Sequence, residues 1–253
     1  ERLSYRGYDS SGIAVVSQDE LSVWKKPGKV HVLAKQLESL NVDANVGIGH
    51  TRWATHGIPN EVNAHPHFDS KKRFSIVHNG IIENYLSIKS ELTDEGFLFR
   101  SQTDSEAIVH LIDKYYDGSL VDAVRRAVDR LDGSFALCVI STMDSNEMVA
   151  CRKNSPLIIG VGSNENYVSS DVNALVAHTK QVIYLDDLQF AQITDQSITI
   201  TDHAGALIEH ETHQIDWSVE QSEKMGYDFF MQKEIHEQPS VIRGIIDQYL
   251  SDG

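Results

Sequence analysis

Four residues in three polar clusters carry groups that could together hold and activate an amino-acid substrate. Arg52 has a planar guanidinium whose paired N–H groups suit bidentate binding of a carboxylate. Asp104, at the start of a predicted helix, supplies an acceptor for an ammonium group. Asn79 and Gly80 combine a side-chain amide with a flexible backbone N–H, the donors from which an oxyanion hole is built. An α-amino acid with a reacting carbonyl needs all three functions.

Each of these residues also has a purely structural interpretation. Arg52 could form an ion pair on the surface, and Asp104 could cap its helix. Asn79 and Gly80 could form a turn. For any one of these residues the structural role is the commoner one, so only their combination favours a site.

The polar clusters lie beside predicted strands and helices, where a fold usually exposes its functional groups. Apolar β-branched runs predict buried strands, later alternating runs predict an antiparallel meander, and apolar residues at helical spacing predict three helices. The predicted strands are 12–16, 46–50, 74–78, 135–141, 156–161, 182–185, 190–193 and 198–201. The helical stripes are Val30, Leu33, Leu37 and Leu40, then Ile108, Leu111, Ile112 and Tyr115, then Val121, Val124, Val128 and Leu131.

Helix-start signals and element order predict the fold class. Capping boxes pair Thr103 with Glu106 and, in a weaker variant, Ser119 with Asp122. Pro239 fits the first turn of a closing helix that runs towards residue 250. The strands do not alternate regularly with helices, so the order predicts α+β layers rather than a doubly wound sheet. Neither a repeat nor a low-complexity linker divides the chain, which predicts one domain over residues 1–253.

Composition restricts the partners and the compartment. The formal net charge of -15 would repel a phosphate backbone, so nucleic acid is not an expected partner. No apolar run in the sequence approaches the length of a membrane span, so no membrane is expected either. Cys138 and Cys151 are the two cysteines, which form no disulfide framework and favour a reducing cytoplasm. Both are expected to be buried structural cysteines.

Five histidines raise the question of a metal site. They are His50, His56, His65, His67 and His78. His65 and His67 have a ligand-like spacing, but no cluster of acidic or cysteine ligands accompanies them, so no metal is expected. The paired glycines of the chain lack the third glycine of a dinucleotide-binding loop, and no cofactor is expected.

In their order along the chain the polar clusters resemble the N-terminal-nucleophile glutamine amidotransferases, and in detail the glucosamine-6-phosphate synthases among them. The matching strings are YRGYDSSG at 5–12, HTRWATHG at 50–57, NAHPH at 63–67, VHNGIIEN at 77–84 and TDSE at 103–106. SPLIIGVG at 155–162, SSD at 169–171 and MQKEIHEQP at 231–239 also fit. The resemblance therefore covers nearly the whole chain.

The resemblance implies a four-layer αββα sandwich of the N-terminal-nucleophile hydrolase type. It also implies hydrolysis of L-glutamine to glutamate and ammonia without a cofactor. The ammonia would pass to a sugar isomerase domain, absent from this chain, that converts fructose-6-phosphate to glucosamine-6-phosphate. The full-length protein is then expected to be a cytoplasmic homodimer.

The same resemblance assigns the substrate-binding residues. It implies that Arg52 binds the α-carboxylate of glutamine and that Asp104 binds the α-amino group. Thr55 and His56 would lie in the same closing loop as Arg52. Trp53 is similar to the residue that gates the ammonia passage.

The catalytic and supporting residues follow in the same way. Asn79 and Gly80 would stabilise the tetrahedral oxyanion. Arg6 and Gly7 would lie beside the N-terminus of the family's mature chain. His65 and His78 would support the site.

The family's nucleophile is an N-terminal cysteine whose own α-amine shuttles the proton. Residue 1 here is Glu, and no internal cysteine can take that role. The expectation is a glutaminase domain cut at both ends, without its first strand and without activity of its own. The alternatives are the glutaminase domain of a purine-pathway amidotransferase or asparagine synthetase, or a non-catalytic glutamine-binding module.

Overall fold

The computed structural model describes residues 2–216, 227 and 230–250. The chain divides into two compact units, residues 1–214 and residues 215–253, and a single domain over the whole chain stays a prediction. The helices are Val30–Leu37 (α1), Tyr85–Asp94 (α2), Ser105–Tyr115 (α3), Leu120–Val128 (α4) and, in the second unit, Phe230–Leu250 (α5). In the part of the chain that is described, no helix combines the length and the apolar character that crossing a membrane requires.

The strands of the first unit form three antiparallel sheets. They are Ser10–Ser17 (β1), Glu20–Pro27 (β2), Val46–Arg52 (β3), His67–Phe68 (β4), Phe74–Ile82 (β5), Gly133–Ser141 (β6), Met148–Lys153 (β7), Ile158–Val161 (β8), Asn166–Ser169 (β9), Gln181–Tyr184 (β10), Phe190–Ile193 (β11), Ile198–Thr201 (β12) and His213–Gln214 (β13). The strand orders are β2-β1-β3, β13-β10-β8-β9 and β12-β11-β7-β6-β5-β4. The last sheet has six strands, and the β5–β6 pair lies inside it.

The β5–β6 pair sorts its side chains between the two faces of the six-stranded sheet, because successive residues of a strand point to opposite faces. Phe74 and Ile76 of β5, with Phe135 and Leu137 of β6, are fully buried in one core with α2, α3 and α4. The helices contribute Ile88, Leu92, Ile108, Leu111, Ile112, Leu120 and Val124 to that core. Each such side chain stabilises the fold by about 1.5–3 kcal/mol when it leaves water.

The opposite face of the six-stranded sheet packs against the two smaller sheets. Ala136 of β6 belongs to the core shared with the four-stranded sheet. Cys138 and Ile140 of β6 belong to the core shared with the three-stranded sheet. Helix α1 lies against β1 and β2 and buries Leu33. The layers therefore follow the order helices, sheet, sheet, helix, which confirms the predicted α+β class and the αββα sandwich.

Among the strands that extend beyond their predicted ends, β3 and β5 change the setting of the candidate residues. β3 continues to Arg52, and β5 continues to Ile82. Asn79 and Gly80 therefore lie within a paired strand, opposite residues of β6, and not in a loop that follows it. The turn interpretation of these two residues is wrong. The polar residues after Val77 do not indicate the end of β5. They lie within the strand and face the cleft.

The N-cap half of one of the two predicted capping boxes is confirmed. Ser119 Oγ accepts the backbone N–H of Asp122 at 3.3 Å. The box that begins at Thr103 is wrong, because α3 begins at Ser105 and the Thr103 hydroxyl lies 3.1 Å from His67 Nε2 instead. A tertiary partner has replaced the local one.

Two further local predictions are wrong. Pro239 lies well inside α5 and not in its first turn, so the helix continues through a residue that lacks a backbone N–H. Leu40 lies beyond the end of α1 at Leu37 and is 41% exposed, so it adds nothing to the buried stripe. The helix α2 and the strands β2, β4, β7, β9 and β13 were not predicted. Helix α2 buries only Ile88 and Leu92, which is too weak a pattern to recognise.

Candidate active site

A cleft of about 560 Å³ opens where β3, β5 and the start of α3 approach one another. This volume is within the range of small-molecule sites. Of the predicted site residues, all but Gly7 line it, namely Arg6, Arg52, Trp53, Thr55, His56, His65, His78, Asn79, Gly80 and Asp104. The fold therefore brings together residues that are up to about a hundred positions apart in sequence.

Arg52 is buried at the end of β3, with 4% of its surface exposed. Its Nη2 donates to the backbone carbonyls of His56 and, at 3.2 Å, of Gly57. Its Nη1 lies 3.7 Å from Asp9 Oδ1, too far for a hydrogen bond, and has no hydrogen-bond partner among the described residues. The surface ion-pair interpretation is wrong, because the guanidinium is inside and keeps one N–H group unsatisfied beside the cleft.

Asp9 is the counter-charge of Arg52 and an anchor for the loop that follows it. Its carboxylate accepts the backbone N–H of Ala54 and, at 2.7 Å, the hydroxyl of Ser10. Burial lowers the pKa of Arg52, while the charges of Asp9 and Asp104 raise it. An arginine under these conditions remains protonated.

Asp104 lies at the N-cap position of α3 and is 3% exposed, but its side chain makes no capping hydrogen bond. Its Oδ2 accepts the backbone N–H of Ile82 at 2.9 Å, and Ser105 Oγ lies 3.4 Å from its Oδ1. The interpretation as a plain helix cap is therefore wrong. The carboxylate joins α3 to the end of β5 and presents a buried negative charge to the cleft.

Asn79 and Gly80 are fixed by their places in β5, opposite Ala136 and Phe135 of β6. Gly80 has φ +129, and a Cβ on it would stand 2.0 Å from the carbonyl oxygen of Ser134. Only glycine allows the strand to run this close to β6. Asn79 Oδ1 lies 2.8 Å from a ring nitrogen of His50.

The loop after Arg52 is much more exposed than Arg52 itself. Trp53 is 62% exposed, and its ring centroid lies 5.4 Å from that of Tyr8. Thr55 is also exposed, with its Oγ1 3.3 Å from His56 Nδ1. The three predicted loop residues therefore line the cleft from its solvent side.

Arg6 and Gly7 belong to the N-terminal loop, which reaches the rim of the cleft. Arg6 Nη1 donates to the carbonyl of Ser170 at 3.1 Å and lies 3.6 Å from Asp171. Gly7 is buried, and a Cβ on it would stand 2.5 Å from the carbonyl oxygen of Thr51. Gly7 therefore allows close contact with β3 without lining the cleft itself.

Four of the five histidines form a group at the cleft: His65, His67 and His78 are buried, His50 is partly buried, and all but His67 line the cleft. Burial is the main cause that lowers the pKa of each, to about 4 for His50. Their rings are therefore neutral at pH 7. His65 and His78 both approach the Ser105 hydroxyl, at 3.4 and 2.9 Å. Within residues 2–216, 227 and 230–250, no group of His, Cys, Asp or Glu has an arrangement that could hold a metal ion.

Both cysteines are buried, as predicted. Burial raises the pKa of Cys138 to about 12 and raises that of Cys151 as well. A thiol of this kind is protonated at neutral pH and is a poor nucleophile.

Glu106 is a buried carboxylate, and the prediction that it forms a capping box with Thr103 is wrong. It accepts the backbone N–H groups of Arg100 and Ser101 at 2.8 and 2.6 Å, and the Ser101 hydroxyl at 2.6 Å. Desolvation raises its pKa, but these donors and the His110 ring at 3.7 Å outweigh it and hold the pKa at about 2. Glu106 thereby fixes the loop that leads into Asp104.

Two residues at the cleft, His50 and Asp9, were not assigned to the substrate site from the sequence, although a signal for His50 was present. His50 and Arg52 are two positions apart in β3, so their side chains lie on the same face of the strand. The predicted strand ended at residue 50; had it been extended to residue 52, the shared face of His50 and Arg52 would have been evident. Asp9 offered no comparable signal, because its partners Arg52 and Ala54 are distant in sequence.

The cleft continues between two strands that belong to different sheets. β3 and β9 each pair with one neighbour and form the edges of their sheets in the part of the chain that is described. Residues of both strands line the cleft, from Gly47 to Arg52 and from Asn166 to Ser169. Val77, Ala136 and Cys138 of the six-stranded sheet also line it. The cleft is therefore bordered on both sides by edge strands.

Known proteins match most of the chain. A family model described as a glutamine amidotransferase domain matches residues 36–218. Glutamine--fructose-6-phosphate aminotransferase [isomerizing] of Aquifex aeolicus is 47% identical over 251 residues, which cover 99% of this chain and 42% of the relative. The relative of the same name from Methanothermobacter thermautotrophicus is 47% identical over 250 residues, which cover 98% and 42%. The chain thus spans about two fifths of the length of these relatives.

A solved structure supports the fold. Glutamine phosphoribosylpyrophosphate amidotransferase from B. subtilis, complexed with ADP and GMP, superposes with a TM-score of 0.68. Its sequence is 24% identical, and the match covers 81% of this chain and 45% of that one. This likeness confirms the sandwich fold of the first unit.

Replacing Glu106 with Gln tests whether its carboxylate holds the site loop. We expect a loss of about 2 kcal/mol in the free energy of unfolding at pH 7, because an amide N–H group would face the donors of Arg100 and Ser101. The folded-state pKa of about 2 lies below the usual value of 4.5, so this contribution is complete above pH 4.5 and is lost as pH falls towards 2. Urea titrations of wild type and variant over that pH range measure it.

The matched control is Glu20→Gln at the exposed start of β2. It should lower the free energy of unfolding by less than about 0.5 kcal/mol. A Glu106→Gln effect that does not shrink at acid pH would contradict the assignment.

Proposed function

The chain belongs to the glutamine amidotransferase domain family, and from this premise we propose that its cleft hydrolyses the side-chain amide of L-glutamine to glutamate and ammonia. One observation carries the proposal. A buried guanidinium, Arg52, keeps an unsatisfied N–H group beside a cleft that Asp104 also lines. A free α-amino acid has a carboxylate and an ammonium group that match these two charges.

Substrate binding then satisfies groups that the protein leaves without a partner. A buried donor without an acceptor destabilises the protein by about 1–3 kcal/mol, and a substrate carboxylate at Arg52 Nη1 would remove that penalty. The α-ammonium group of the same substrate would lie against the Asp104 carboxylate. Because Asp104 already accepts the N–H of Ile82, it is held in place before the substrate arrives.

Binding the two charged ends directs the side-chain amide along the cleft towards Asn79 and Gly80. A thiolate adds to the amide carbon, a C–S bond forms, and the π electrons of the C=O bond move to the oxygen. The Asn79 side-chain amide and the Gly80 backbone N–H would donate to that oxyanion. When the C–N bond breaks, the nitrogen takes up a proton and leaves as ammonia. Water then cleaves the thioester to give glutamate and restores the thiol.

The nucleophile we propose is an N-terminal cysteine, as the resemblance to the N-terminal-nucleophile amidotransferases implies. Both internal thiols are buried and have raised pKa values, which makes them poor nucleophiles. The edge strands β3 and β9 border a cleft that also contains Asn79 and Gly80. An extended segment that pairs with these edges would bring its first residue to the oxyanion donors. The α-amine of that residue would then accept the thiol proton.

The ammonia acceptor follows from the relatives. They are named glutamine--fructose-6-phosphate aminotransferases, so fructose-6-phosphate is the acceptor we propose, with an isomerase portion that forms glucosamine-6-phosphate. Trp53 and Tyr8 form an exposed aromatic pair at the cleft, where Trp53 could gate the passage of ammonia.

The two free cysteines suit a reducing cytoplasm, which is the compartment we propose. For the full-length protein we propose a homodimer.

Arg52 and Asp104 can be tested by conservative substitutions in the full-length protein. Arg52→Lys keeps the charge but loses the planar fork, and Asp104→Asn keeps an acceptor for Ile82 N–H but loses the charge. We expect each variant to weaken binding of L-glutamate, the product that carries the same charged ends and is not hydrolysed, by about 2 kcal/mol, some 30-fold, measured by isothermal titration calorimetry.

The exposed ion pair of Arg126 and Asp117 supplies matched controls. Arg126→Lys and Asp117→Asn should leave the affinity unchanged. Unchanged affinity in Arg52→Lys and in Asp104→Asn would remove both residues from the substrate site.

Asn79 is expected to act on the transition state and not on the bound substrate. Asn79→Ala should therefore lower kcat and kcat/KM together by about 10²–10³-fold, with little change in KM. Asn79→Asp should be at least as slow, because a carboxylate repels the developing negative charge. Steady-state assays of glutamate release measure both quantities. A kcat near that of the wild type in Asn79→Ala would contradict the role of this amide.

A further inference from the structure

One hydrogen bond crosses between the two facing sheets at the cleft. It joins His50 Nε2 of β3 to Asn79 Oδ1 of β5, at 2.8 Å. The three-stranded sheet contains β3, and the six-stranded sheet contains β5, so neither sheet alone creates this contact. The Nδ1 atom of His50 is buried, and His50 lies outside the substrate-binding and oxyanion groups of the proposed function.

The partners of the two residues fix the direction of this bond. An amide oxygen only accepts hydrogen bonds, so His50 Nε2 carries the proton and donates it. His50 Nδ1 has no hydrogen-bond partner among the described residues, which suits a bare nitrogen better than a buried N–H group. Burial also lowers the pKa of His50 to about 4, so the ring is neutral at pH 7 and holds one proton.

The opposite orientation of the amide fails on the same grounds. If Asn79 Nδ2 faced His50, it would need a bare Nε2, and the proton would move to the unpartnered Nδ1. Asn79 Oδ1 would then point into the cleft and repel an oxyanion. The amide oxygen of Asn79 therefore lies beside the His50 donor, and the amide nitrogen of Asn79 points the other way.

We infer that His50 is the positioning residue of the oxyanion hole: its Nε2–H holds Asn79 Oδ1 and turns Asn79 Nδ2 towards the reacting carbonyl. This inference rests on the proposed glutaminase function. In this role His50 needs no contact with the substrate. It acts through the orientation of Asn79, whose side chain could otherwise rotate about its terminal bond.

The His50 ring is itself held in place from one side. The His65 ring lies against it at a centroid distance of 4.3 Å and an interplanar angle of 32°. His67 in turn meets His65 edge-on at 4.7 Å. The backbone of His50 is fixed by its pairing with Gly12 of β1. A donor with so little freedom can hold the amide of Asn79 in one orientation.

Three substitutions in the full-length enzyme separate positioning from general support. His50→Phe keeps a buried ring but removes the donor, and it should lower kcat by about 10²-fold with KM within twofold. His50→Gln places an amide N–H at a similar distance from the backbone and should restore most of kcat. In an Asn79→Ala background, His50→Phe should cause no further loss, because its target is gone. His31→Gln, on the exposed face of α1, should have the kcat of the wild type.

The outcomes decide between the two proposals. A wild-type enzyme without glutaminase activity defeats the proposed function. An active wild type with an unchanged His50→Phe kcat, or with additive losses in the double variant, defeats only the inference about His50. If His50→Phe does not fold, ¹⁵N NMR of histidine-labelled wild-type chain still decides. A His50 signal with Nε2 protonated and Nδ1 bare supports the inference, and the opposite tautomer overturns it.

Discussion

The buried guanidinium of Arg52 is the charge on whose compensation the architecture of the cleft depends. A buried ion without partners is strongly destabilising, so the surrounding chain must supply acceptors. The carbonyls of His56 and Gly57 accept from one of its nitrogens, and Asp9 lies 3.7 Å from the other. The same Asp9 holds Ala54. The closing loop, the N-terminal loop and β3 are thus joined by a single charge, which keeps one N–H group for a ligand.

The charge of Arg52 also contributes to the neutrality of the histidines around it, although burial is the main cause. After burial, Arg52 is among the further causes that lower the pKa of His50 and of His65. A second cation beside it would have to be compensated in turn, whereas neutral rings pack closely and donate single hydrogen bonds. Substrate recognition by charge and oxyanion binding by neutral donors therefore occur in adjoining parts of one cleft.

Much of the fold follows from local patterns, because the apolar runs of β5 and β6 and the stripes of α3 and α4 face one continuous core. The candidate residues were also recognisable, since their polar clusters stand out against these runs. The prediction failed where tertiary contacts decide. Asn79 and Gly80 looked like a turn but are paired with β6. Thr103 looked like a cap but binds His67. The contact of His50 with Asn79 requires two sheets to pack and has no signature within either strand.

The structure of the chain with bound L-glutamate would test the central claim most directly, because glutamate carries the same charged ends as glutamine. We expect one oxygen of the α-carboxylate of glutamate to lie within about 2.7–3.2 Å of Arg52 Nη1. Its ammonium group should lie against Asp104, and its side chain should extend towards Asn79. A ligand bound outside this cleft, or one whose α-carboxylate lies away from Arg52, would contradict the account.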